Sequence, residues 1–198
     1  MRKPRYKGRR RPSEEGKPRI LVLCEATDPE RSYFSALKAE FGLTSVRVQS
    51  AGTVADMMKR VEREVREDLT QEEIWCVLDH DERAAEIGRF NQWLRRPRRT
   101  TTRIHAAMSV PCFEYWLLLH FTLTTKPYRG TGDLSACNQV RRELRSHIAG
   151  YQKTDPTIYR RCRDLLDTAI ERARLVPVTR HAASATDIGK LIERLKLL

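Results

Sequence analysis

Two stretches of the chain are apolar without interruption: Ile20-Leu21-Val22-Leu23-Cys24 and Ile74-Trp75-Cys76-Val77-Leu78. Five apolar residues in a row leave no polar face, the pattern of a strand covered on both sides in a parallel sheet. Over 30–41, Tyr33, Phe34, Leu37 and Phe41 recur at helical spacing, and Gly42 follows in the C-cap position. Val46 and Val48 alternate with polar neighbours as a second strand. Thr53 then caps a helix through about residue 68, whose apolar face is Met57, Met58, Val61 and Val65. Beyond the Ile74 strand the spacing predicts a helix with Ile87, Phe90 and Leu94 inward, closing before Pro97. A fourth strand carries Ile104, Ala106 and Met108, and a strongly apolar helix runs from Phe113 to Phe121. Regular alternation of strand and helix predicts an α/β domain: a mainly parallel four-stranded sheet flanked by helices, joined by right-handed crossovers. Three more helical segments, near 134–149, 156–174 and Ala185 to Leu198, form a C-terminal helical part from about 133 onward, and 124–132 reads as an exposed loop.

Composition adds a division of labour. A chain of 198 residues suits one domain of ordinary size. Residues 1–18, rich in Arg, Lys, Pro and Gly, read as a flexible basic arm ahead of a single domain over 19–198. The formal charge of +12 is local: seven basic residues lie in the first twelve, and five more are Arg95, Arg96, Arg98, Arg99 and Arg103. The rest of the chain is neutral on balance. Two patches of this kind attract phosphate, and nucleic acid is the partner they favour over an acidic membrane surface. A basic tail also serves simply for solubility or nonspecific adhesion. No apolar run approaches the ~20 residues of a spanning helix and no secretory core follows the basic start, so the sequence reads as cytoplasmic. The five cysteines are scattered with no C-x-x-C pair, and read as core residues of a reducing compartment.

Both solid apolar strands end in carboxylates: Cys24-Glu25, and Leu78-Asp79-His80-Asp81-Glu82. Ligands of open parallel sheets bind beyond the carboxyl ends of the strands. If the two strands are neighbours, these acids converge there and suit Mg²⁺, or Mn²⁺, both of which take oxygen ligands. Phosphoryl transfer gives a reason to collect them, since a divalent ion offsets phosphate charge and a spare carboxylate moves the proton. Asp79 and Asp81 are the expected metal ligands, Glu25 the general acid/base or a further ligand, and Glu82 an outer partner. Acids at strand ends are also ordinary turn residues, and D-x-D alone is weak evidence.

These residues resemble the RloB-like proteins, whose catalytic unit looks like a Toprim domain with a Glu after the first strand and D-x-D after the third. The resemblance includes Cys24-Glu25 followed by Glu30, Tyr33 and Phe34, then Asp79-His80-Asp81-Glu82. It continues through Pro111-Cys112-Phe113-Glu114 into Trp116-Leu117-Leu118-Leu119-His120-Phe121, and ends in the tail from Ser184 to Leu195. It implies a Toprim-like, Rossmann-like fold and Mg²⁺-dependent cutting or joining of phosphodiesters in DNA or RNA. Glu25, Asp79 and Asp81 would be catalytic, with Glu30, His80, Glu82 and Glu114 in support. It also implies a place in antiviral defence and abortive infection; an unregulated nuclease being toxic, an activating partner protein such as an ATPase is a candidate. Where the family has Gly and then a Lys-Thr pair after the first Glu, this chain has Ala26, Asp28 and Pro29, which removes a residue free to adopt positive φ and offers Asp28 as another carboxylate.

Several residues admit two readings. Glu114 either favours the start of its helix through the dipole or belongs to the site. Lys126, Tyr128 and Arg129 either grip a nucleic-acid strand or sit in a solvated loop. Lys153 either holds a phosphate or lies on the surface. His120 reads as a core histidine, and Trp75, Trp93 and Trp116 as core rather than stacking platforms. No Walker A loop, G-x-G-x-x-G, G-x-S-x-G or H-E-x-x-H is present. A noncatalytic nucleic-acid-binding or assembly subunit is the alternative function, and a phosphoacceptor receiver ranks behind both. The sequence leaves the oligomeric state open.

Overall fold

The computed structural model describes residues 17–67, 71–80, 84–132, 134–179 and 183–198. The basic arm therefore lies outside the described residues except for Lys17 and Pro18, as do Asp81 and Glu82. The apolar runs become β1 (Ile20–Cys24) and β3 (Glu73–Asp79), central neighbours in one sheet. With β2 (Val46–Ser50), β4 (Arg103–Val110) and β5 (Ala185–Thr186), the strand order is β2-β1-β3-β4-β5. The first four strands are parallel and β5 is antiparallel to β4. The sequence reading has four strands and places Ala185 in a helix. Two residues are too few for a legible apolar pattern, and β5 exists through its ladder to Ser109 and Val110, not its own composition.

β1 is buried along its whole length because each face of the sheet has its own core. On one side, Leu21, Leu23, Ile74, Cys76 and Leu78 pack under α2 (Val54–Arg66) and α3 (Ala84–Leu94), through Met57, Val61, Ile87, Phe90 and Trp93. Thr53 caps α2 as expected: its Oγ1 accepts from Asp56 N at 3.2 Å, a contact of about 1 kcal/mol. On the other side, Ile20, Val22, Cys24, Trp75 and Val77 meet α1 (Ser32–Glu40) and α4 (Phe113–Leu119). The C-terminal helices α5 (Ala136–His147), α6 (Ile158–Cys162), α7 (Leu166–Leu175) and α8 (Ile188–Lys196) join this second core: α8 packs on β4, while α5 packs on α4, α6 on α1, and α7 on α4 and α8.

Three details depart from the periodicity. Phe41 stands 37% exposed beyond the end of α1, where Gly42 turns the chain at φ 61°. Trp93 takes the fully inward position beside the partly buried Leu94. The segment 156–174 is split into α6 and α7 by a 3₁₀ turn at Arg163–Leu165.

Candidate active site

The order β2-β1-β3 means that the chain leaves β1 toward one edge and returns to pair on its other side. β1 and β3 therefore flank the point where strand order reverses, the crevice that open α/β sheets use for ligands. Glu25 follows β1 directly, and its N–H extends the ladder to Val77 O at 3.2 Å. Asp79 ends β3 opposite Ser109 of β4. Because β3 lies between β1 and β4, one sheet edge receives Glu25, Asp79 and the residues after β4.

Those residues are Pro111 and Cys112, leading to Phe113 and Glu114 in the first turn of α4. Phe113 N–H donates to Asp79 Oδ1 at 2.8 Å. Glu114 is fully buried, and its Oε1 accepts from Arg141 Nε of α5 at 2.7 Å. A wide turn over Thr27–Arg31 buries Glu30 at 2% exposure. These acids form one electrostatic cluster. Burial pushes the Glu30 carboxyl up to about 7; Lys153 opposes the rise, while Glu114 and Glu25 add to it. Burial also drives the Asp79 carboxyl well above the usual carboxylate range, reinforced by Glu30 and Glu114 and eased by Lys153.

Lys153, half-buried in the turn between α5 and α6, thus sits in the field of the acids rather than at a remote surface. The same connection brings in Tyr151, a residue absent from the sequence reading. Its ring is buried, its hydroxyl has no hydrogen-bond partner among the described residues, and Glu114 and Arg141 both act on it. Nothing local in Gly150-Tyr151-Gln152 signals this; the placement comes from the path of the chain after α5.

The remaining candidates divide. The backbone N–H of His80 donates to Ser109 O at 2.8 Å, which fixes the start of the D-x-D loop. Asp28 accepts the Ser32 hydroxyl and helps shape the wide turn. Lys126 pairs with Glu143 at 3.4 Å and lies over the Tyr128 ring. Tyr128 corrects the picture of an exposed loop: it is 4% exposed, packs on Tyr115 and donates to Glu143 at 2.8 Å. Arg129 is exposed.

Arg95, Arg96 and Arg99 are exposed after α3. Arg98 is committed internally: it stacks on Trp93 at 4.3 Å and donates to the carbonyls of Trp93, Leu94 and Arg96. Arg103, at the start of β4, pairs with the buried Glu73 at 2.7 Å, as does Arg194 of α8 at 2.8 Å. The arginine cluster and the carboxylates therefore occupy opposite ends of the sheet, about 20 Å apart along the seven residues of β3.

The donor chemistry fits a hard divalent cation. Glu30 Oε2 and Glu114 Oε2 are buried oxygens without a hydrogen-bond partner among the described residues, and both carboxylates act on Asp79, whose carboxyl is raised first by burial and then by these two. Among the described residues no three His, Cys, Asp or Glu side chains lie close enough to hold an ion by themselves, a set that excludes Asp81. Mg²⁺ is commonly held by one or two carboxylates and keeps several waters. Among the described residues, no helix is long and apolar enough to cross a membrane.

Comparison with curated proteins and with solved structures returns no significant match. A family model described as RloB-like protein matches residues 20–195, from the first residue of β1 to the penultimate residue of α8. The span takes in the two carboxylate-tipped strands, the α4 turn with Glu114 and the Tyr151–Lys153 connection, and the chain belongs to the RloB-like protein family.

Proposed function

We propose that the protein is a metal-dependent, Toprim-like nuclease that hydrolyses phosphodiester bonds in DNA or RNA. The observation that carries this reading is the gathering of Glu25, Glu30, Asp79 and Glu114 at the carboxyl ends of three adjacent parallel strands, with Lys153 among them. Stability alone gives no reason to crowd acids whose charges oppose one another, whereas phosphoryl transfer does. Asp79 and Asp81 would hold Mg²⁺ or Mn²⁺, with Glu25 as a further ligand or the general acid/base. The ion when bound offsets phosphate charge and promotes ionisation of the attacking water. Lys153 orients a phosphate by its charge, Glu114 is held in place by Arg141, and Phe113 N–H fixes the Asp79 carboxylate. An effector role in antiviral defence and abortive infection, a cytoplasmic location, and release of activity by a partner such as an ATPase belong to the same proposal.

The test is cleavage of end-labelled DNA and total tRNA by purified protein with Mg²⁺, Mn²⁺ or EDTA, beside Asp79→Asn and Glu25→Gln. Metal-dependent cleavage that disappears in both variants supports the reading and identifies the substrate. Tight metal-independent binding without cleavage, persisting after supply of candidate activators, replaces it with a noncatalytic nucleic-acid-binding subunit.

A further inference from the structure

We propose that the backbone of a bound polynucleotide leaves the carboxylate edge along the outer face of α2 and ends at the arginine cluster after α3, with Arg63 and Arg66 as its phosphate contacts. This rests on the nucleic-acid reading above and supplies the path which that reading lacks, since the cluster and the acids lie at opposite ends of the sheet.

Two open cavities mark the path. One, of about 400 Å³, begins at Ser50 and Ala51 and follows Lys59, Arg63 and Arg66 along α2. Its upper end adjoins the site: Ala51 N–H donates to Cys24 O at 2.8 Å and Gly52 N–H to Glu25 O at 3.1 Å. The second, of about 290 Å³, lies between Glu62 and Arg66 on one side and Trp93 with the Arg96-Pro97-Arg98 turn on the other. Arg66 lines both, so the two form one track. The thirteen residues of α2 span about 20 Å, matching the separation to be bridged. At one phosphate per 3.4 Å of duplex axis on each strand, that is about six base pairs.

The charge on this track is hidden in the sequence, where acids and bases alternate along α2. Folding separates them. Glu64 is buried and paired with Arg60 at 2.8 Å, and Glu62 accepts from Trp93 Nε1 at 2.8 Å. Asp56 is engaged by the Thr53 hydroxyl at 2.7 Å and by Lys59 at 3.5 Å. Arg63 and Arg66 are exposed and have no ion pair among the described residues; Asp56 and Glu62, engaged as described, line the two cavities, and Glu67 lies at the end of the face. Lys59, Arg63 and Arg66 follow i, i+4, i+7 spacing, which puts them on one side of the helix. At the far end, Arg98 holds its turn rigid on Trp93 and leaves Arg95, Arg96 and Arg99 outward. Exposed guanidinium groups without an ion pair among the described residues, spread over such a length, fit a phosphate chain better than a small anion.

The experiment measures fluorescence anisotropy of labelled 20-nucleotide single strands and 20-base-pair duplexes, DNA and RNA, in EDTA across a salt series. Arg63→Gln/Arg66→Gln is compared with wild type and with Arg142→Gln/Arg160→Gln, which removes the same charge from exposed positions on α5 and α6. On the probe that wild type binds, the α2 variant should lose about 1.4–1.8 from the log–log salt slope and about tenfold in affinity near 0.1 M salt. The α5/α6 variant should keep both, as should Arg63→Lys/Arg66→Lys, which also shows that α2 tolerates substitution there. An α2 variant with unchanged slope and affinity overturns the track while leaving the nuclease reading intact. Wild-type protein that binds none of the four probes overturns both.

Discussion

Asp79 Oδ1 accepts a 2.8 Å hydrogen bond from the backbone N–H of Phe113, so the tip of β3 is tied to the first turn of α4. The bond holds a carboxylate where its charge is costly, with burial, Glu30 and Glu114 all raising its proton affinity. A contact that only anchored α4 would work as well with a neutral acceptor. On the proposed metal-site reading, the acid is kept there for its function despite that cost.

Asp79→Asn separates the two roles. The amide oxygen can still accept from Phe113 N–H, and the repulsion disappears. In EDTA the variant should melt above wild type, by about 2–4 °C for each kcal/mol relieved. Metal-dependent cleavage should fall at least ~100-fold, which is about 2.7 kcal/mol in the barrier. Asp79→Ala, which strands the amide, should be less stable than Asp79→Asn by about 1–3 kcal/mol. Thermal melts and cleavage assays on one set of preparations check this. An Asn variant both less stable and fully active would make Asp79 a structural residue.

The Glu114–Arg141 pair gives a second prediction. Glu114 is wholly buried and Arg141 largely so, with 2.7 Å between Oε1 and Nε. Arg141→Met leaves a buried carboxylate uncompensated, at a cost of about 3–5 kcal/mol. Adding Glu114→Gln should restore most of that stability, because the double variant buries no charge. Urea denaturation of the two singles and the double completes the cycle. Independent, additive losses would mean that the pair is not coupled.

His120 sets a pH dependence. Its Nδ1 lies 3.1 Å from Trp116 O and 3.2 Å from Leu117 O, both acceptors, so Nδ1 carries the proton and Nε2 accepts from the Tyr33 hydroxyl at 3.3 Å. Burial holds this imidazole down to about 4 against an ordinary value near 6.5; its carbonyl contacts oppose the shift and Arg172 adds to it. Between those values the unfolded chain binds a proton that the folded chain refuses, so stability falls as pH drops from about 6.5 to 4. The full decrease is about 3 kcal/mol. His120→Gln removes this titration. The stability advantage of wild type over the variant should therefore shrink by about that amount from pH 7 to pH 4 in urea titrations. A constant difference would show that the folded-state histidine titrates normally.

The legible parts of this fold were those whose signal is local. Ile20–Cys24 and Ile74–Leu78 have no polar face, so both had to be central strands, and the acids that end them fell at the carboxyl edge of the sheet, where open α/β sheets commonly bind ligands. Glu73 was silent because its partners, Arg103 and Arg194, stand 30 and 121 residues away. Tyr151 and Lys153 reach the site by the route of a loop, which carries no periodicity. β5 is defined by its neighbour alone. The arginine run shows a different limit, since neighbours in sequence look equivalent until their hydrogen bonds are known.

That inequality is itself testable. Arg98 donates to three carbonyls at 2.7–3.1 Å and stacks on Trp93, whereas Arg95, Arg96 and Arg99 are exposed. Arg98→Gln removes the planar fork and the stacking together, and should cost about 1–3 kcal/mol, lowering Tm by several degrees. The triple variant Arg95→Gln/Arg96→Gln/Arg99→Gln, although it removes three times the charge, should stay within about 0.5 kcal/mol of wild type. Its effect should instead appear in nucleic-acid affinity and in the salt slope, which should flatten by about 0.7–0.9 for each phosphate no longer neutralised. Melting curves and a salt series on the same two variants decide it. Equal stability losses per arginine would mean that the cluster acts only as a bulk charge, and that the turn after α3 does not depend on Arg98.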